Sequence, residues 1–172
     1  MSLSSLAGTT WQLAAFSVIN RASGEAQHDV LGPHGHGQIL YSADGYMSAQ
    51  LLEGHPLSAH VLADGTDPTR PGLRAITSYA GPYSYEDGAG GAEPITVYYR
   101  GEKHAVDVAG TVHHDVRVCI DANWEGTRQT RNVGFLTIDG EPFVALRPPE
   151  PWKVGNDEVY LTLLWKRAPK NA

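Results

Sequence analysis

The chain has 172 residues, 41% of them hydrophobic and 19% charged, which suits a globular domain with one sizeable core. A net charge of −6 with no run of Lys or Arg argues against nucleic acid as a partner. The single cysteine, Cys119, forbids an internal disulfide, MSLSSLAGTTW lacks the regions of a signal peptide, and no apolar run is long enough for a bilayer, so a cytoplasmic protein without a membrane partner is expected.

Leu6–Val18 reads as a first strand, with Trp11, Leu13 and Ala15 on one face. Asn20–Gly37 reads as a loop. Gln38–Leu52 is the clearest hairpin, QILYS and YMSAQLL around ADG. A three-residue loop with Gly45 in the left-handed position pairs Tyr41 with Met47 and Ile39 with Ala49. Ile39, Tyr41, Met47, Ala49 and Leu51 then share one side, and Gln38, Tyr46, Ser48 and Gln50 the other; either side could face an interior. Glu53–Gly72 reads as a loop, with Asp67 and Pro68 able to open a helix. The spacing predicts a short helix over Leu73–Tyr79, ended by Gly81-Pro82, with Tyr83 and Tyr85 starting the next strand. DGAGG (87–91) is a turn, Ile95–Arg100 a strand, and 101–110 a connector with a short strand at Ala105–Val108.

Thr111–Ile138 holds most of the chemistry. Its first strand alternates, with Val112, His114, Val116, Val118 and Ile120 on one face. His114 is the polar exception on that face, and His113 points the other way. In the second strand Gln129 and Arg131 share a face with Val133 and Phe135. An imidazole, an amide and a guanidinium meeting in an apolar space is how small-molecule sites are commonly built. Phe143–Leu146 and Glu158–Arg167 are the closing strands; in the latter Val159, Leu161, Leu163 and Trp165 share a face. The expected fold is therefore all-β, about eight to ten mostly antiparallel strands and one short helix, closed into a barrel wide enough for one small ligand.

Five segments, LAGTTWQL, GQILYSADGYMSAQLL, SYAGPYSYE, GTVHHDVRV and NWEGTRQTR, run in this order over nearly the whole chain. In them the sequence resembles the bacterial and fungal lipocalin-like domain family of small intracellular proteins. The resemblance implies a single calycin-type antiparallel β-barrel over residues 1–172 with a ligand cavity. Two features depart from the family pattern. The Gly-x-Trp start is one residue longer here, Gly8-Thr9-Thr10-Trp11, and residues 86–110 replace a short turn with an added strand pair or lid. The family serves varied roles, including cyclase and isomerase activity in fungal natural-product pathways.

His114 and Arg131 are the candidate catalytic residues. A cavity imidazole can move a proton near neutral pH, and an inward arginine can hold a carbonyl or enolate oxygen. The alternatives are a core histidine holding barrel register, and an ion pair of Arg131 with Asp115 or Glu125. Gln129, Tyr41, Tyr46, Met47, Tyr83, Trp124 and Phe135 are candidate ligand contacts. His34-Gly35-His36 lacks a third ligand nearby, so no metal site is expected, and no cofactor motif is present. The sequence points to a hydrophobic small-molecule partner. One reading is its cofactor-independent cyclisation, isomerisation or dehydration; the other is carriage or sensing without chemistry. The amphipathic tyrosines also suit an interface, so a homodimer is compatible with the sequence.

Overall fold

The computed structural model describes residues 1–29, 31, 35–52, 76–88 and 90–169. Thirteen strands are present among them: β1 (Thr9–Asn20), β2 (Ala26–Asp29), β3 (His36–Tyr41), β4 (Tyr46–Leu52), β5 (Ile76–Asp87), β6 (Ile95–Tyr99), β7 (Glu102–Val106), β8 (Gly110–Asp115), β9 (Val118–Cys119), β10 (Arg128–Ile138), β11 (Glu141–Arg147), β12 (Trp152–Val154) and β13 (Asp157–Arg167). The described helical structure is two 3-10 turns, Leu3–Leu6 and Ala122–Trp124, and no described helix is long and apolar enough to cross a membrane.

Eight strands close an antiparallel barrel in the order β1, β3, β4, β5, β8, β10, β11, β13, and β13 pairs back onto β1. Closure removes the sheet edges that would otherwise expose unpaired backbone groups. The β3–β4 hairpin has the predicted register, Tyr41 opposite Met47 and Ile39 opposite Ala49. Gly45 occupies the left-handed region at φ 89°, as the loop requires. Ile39, Tyr41, Met47, Ala49 and Leu51 belong to the interior cluster, whereas Tyr46 is 58% exposed on the outer side.

The expected helix over Leu73–Tyr79 is corrected where it can be seen. Residues 76–79 lie in β5, and Gly81, Pro82, Tyr83 and Tyr85 continue the same strand. Asp67, Pro68 and residues 73–75 lie outside the described residues. Gly81-Pro82 does not stop a helix but faces a bulge. Tyr83 pairs with His114 and Ala80 with Val118, so Gly81 and Pro82 oppose three residues, Asp115, Val116 and Arg117. A Cβ on Gly81 would lie 1.9 Å from the Asp115 carbonyl oxygen, so only glycine admits this approach. The extra residue also flips the faces that follow. Val118 and Ile120, expected on the inner face, are 67% and 60% exposed, while Cys119 packs against the core. A register shift in β1 between Leu13 and Ala15 acts similarly: Leu13 and Phe16 pack inside, and Ala15 packs outside.

Two apolar cores result. The inner one fills the barrel with Leu3, Leu6, Trp11, Val112, Val133, Val144 and Trp165. The outer one lies beneath the β6–β7 hairpin, where Ile95, Val97, Val106 and Val108 cover Phe143, Ala145 and Leu164. Alternate residues of β11 and β13 thus feed opposite cores, as a period of two requires.

Candidate functional site

The inner core does not fill the barrel. Above the packed end lies a cavity of about 500 Å³, a size suited to one small ligand. Its wall is mainly apolar: Phe16, Ile39, Ala49, Leu51, Leu146, Leu161, Leu163 and Trp165. Most polar groups come from one sector, with Thr77 and Tyr79 on β5 and Arg128, Gln129, Thr130 and Arg131 on β10. Pro148, Pro149, Glu150 and Trp152 complete the lining from the segment after β11, and Trp124 from the second 3-10 turn.

Arg131 reaches the cavity because β10 alternates Gln129, Arg131 and Val133 inward. Its guanidinium donates to the Thr130 carbonyl at 2.8 Å and to Gln129 Oε1 at 3.4 Å. No carboxylate lies within ion-pair distance of it among the described residues. Asp115, one expected partner, is taken by Arg128 in a two-pronged pair of 2.7 and 3.1 Å. That hydrogen-bonded guanidinium holds the Asp115 carboxyl below its usual range.

His114 sits one layer beneath. It is 1% exposed and is not part of the cavity wall. Its Nε2 lies 3.0 Å from the Tyr41 hydroxyl and its Nδ1 3.2 Å from the Tyr79 hydroxyl. Burial, reinforced by the positive charge of Arg131, lowers its pKa to about 3, so the ring is neutral at neutral pH. Burial likewise pushes the Tyr41 and Tyr79 hydroxyls above the usual phenol range, so both keep their protons. Tyr79 links this buried chain to the cavity, and its ring meets Trp124 edge-on with centroids 5.7 Å apart.

Of the residues singled out in the sequence, Arg131, Gln129 and Trp124 come together at the cavity. His114 and Tyr41 form the layer below, with Tyr83 edge-on to Tyr41 and bonded to the Ser42 carbonyl. Met47 is core, and Phe135 packs against the core outside the lining. Tyr46 points to solvent because its β4 neighbours Met47 and Ala49 take the inner face. Sequence reasoning missed Tyr79, which it placed at a helix end. The period-two run Thr77, Tyr79, Gly81, Tyr83 was the available signal.

No curated protein and no solved structure matches the chain significantly. A family model described as a lipocalin-like domain matches residues 8–168, which takes in every barrel strand. The chain belongs to the lipocalin-like domain family.

Proposed function

We propose that the barrel binds a small, largely apolar molecule and that Arg131 anchors the polar end of that molecule. A lipocalin-like barrel fits a small hydrophobic ligand, and the apolar wall suits the body of one. The observation that carries the reading is the state of Arg131. A guanidinium offers five donors in a fixed fork, and among the described residues two bonds are made, both to neutral oxygens. Unspent donors on an apolar wall favour an oxygen bearing full or partial negative charge. The β6–β7 hairpin then acts as an outer cover rather than a lid, since its apolar side faces the outer core. Anilinonaphthalene sulfonate, an apolar anion whose fluorescence rises on binding, tests the anchor. Arg131→Met is expected to weaken it by about 10–100-fold with the melting temperature unchanged. Equal binding by the variant, or none by the wild-type protein, overturns the reading.

A second reading is cofactor-independent cyclisation, isomerisation or dehydration of a natural-product-like substrate in the same cavity. The hydrogen-bonded chain Tyr79–His114–Tyr41 beside Arg131 favours it, because a proton could move along it while Arg131 holds a carbonyl oxygen. His114 would act through Tyr79, not on substrate directly. Ligand recovered unchanged after incubation supports carriage, and rearranged product supports catalysis.

A further inference from the structure

We infer that Tyr79 is a ligand-binding residue, held by His114 with its O–H free to donate into the cavity, so that Tyr79 and Arg131 together receive one oxygen of the ligand. The assignment rests on the reading above, that a polar ligand end lies at Arg131. It narrows the ligand class to molecules whose buried end is a proton-free acceptor: a ketone, aldehyde, ester or carboxylate.

A neutral imidazole carries one N–H donor and one acceptor nitrogen. Both nitrogens of His114 are engaged, Nε2 with Tyr41 and Nδ1 with Tyr79. One tyrosine therefore donates to the ring, and the other accepts from it and keeps its own proton unspent. Tyr41 is fully enclosed, and its hydroxyl has no other hydrogen-bond partner among the described residues. If Tyr41 accepted, its O–H would be stranded in the interior without an acceptor, which buried polar groups avoid. So Tyr41 donates to Nε2, the ring proton sits on Nδ1, and that N–H is given to the Tyr79 oxygen. Tyr79, whose side chain lines the cavity, is left with its O–H to offer. Arg131 lines the same cavity, so both residues border one space. His114 is a positioning residue here: it fixes which way the Tyr79 proton points.

Nitrogen NMR of histidine-labelled protein without ligand reads the tautomer directly. The expected result is His114 protonated on Nδ1; protonation on Nε2 overturns the assignment. A binding measurement compares the fluorescent aryl ketone prodan with its deacylated parent, dimethylaminonaphthalene, which lacks the acceptor oxygen. Tyr79→Phe is expected to weaken prodan by about tenfold and leave the parent unchanged. The infrared carbonyl stretch of bound prodan is expected to rise in the same variant. Equal effects on both probes, or none on prodan, overturn the role of Tyr79. If the wild-type protein binds neither probe, the proposed function falls, and the tautomer alone decides the proton assignment.

Discussion

Arg131 and Arg147 lie on neighbouring strands, β10 and β11, and serve opposite cores, each without a carboxylate within ion-pair distance among the described residues. Arg147, 3% exposed, donates to the carbonyls of Glu93 and Pro94 at 3.1 Å each and stacks 4.0 Å from the Tyr160 ring centroid. Both carbonyls belong to the segment that enters β6, so Arg147 ties the hairpin to the barrel wall. Its unpartnered Nε and the Thr162 hydroxyl belong to residues lining a void of about 40 Å³, room for a water and little more. Arg131 faces a cavity of about 500 Å³ and, among the described residues, makes two bonds, both on its own strand. Apolar surroundings alone do not distinguish a site from a structural tie. What does is whether the donors are already spent and whether space remains in front of them.

Acid strains this comparison hardest, because it acts on the inner core. The unfolded chain binds a proton at His114 below pH 6.5, while the folded protein refuses it down to about pH 3. This group's contribution is therefore fully present above the unfolded pKa and is lost as pH falls toward 3, by roughly 4 kcal/mol. Denaturation curves across that range should show the slope in the wild-type protein and its loss in His114→Leu. Next in size, Arg147→Met should lower stability by about 2–4 kcal/mol, because two carbonyls lose their donors, while probe binding stays intact. Arg131→Met should do the reverse, leaving denaturation within about 0.5 kcal/mol and weakening anionic probes as proposed. The smallest effect is expected at the mouth. Asp115→Asn frees Arg128 from its exposed pair and should raise affinity for anilinonaphthalene sulfonate by no more than about twofold.

The parts of the site that were legible in the sequence are those governed by local alternation. Period two along β3, β4 and β10 was enough to bring Ile39 and Ala49 to one side and to turn Gln129 and Arg131 inward. His114 was legible as a polar residue on an apolar face, but its depth was not, because the two hydroxyls that clamp it arrive from β3 and β5. What stayed hidden depends on tertiary contact. Gly81-Pro82 looks locally like a helix stop, and only the carbonyl of Asp115 pressed against Gly81 explains the glycine. The same bulge carried Val118 and Ile120 to the surface against the pattern. Reading Tyr79 as a helix end concealed the hydroxyl that, among the described residues, joins the buried histidine to the cavity.

The anchor is tested most directly by a matched pair of ligands, decanoate and decanol, titrated calorimetrically into wild-type protein and Arg131→Met. The wild-type protein is expected to prefer decanoate by at least about tenfold, and the variant to lose that preference while binding decanol as before. Equal affinities in the wild-type protein, or a preference that survives the substitution, would contradict the assignment of Arg131 as the anchor.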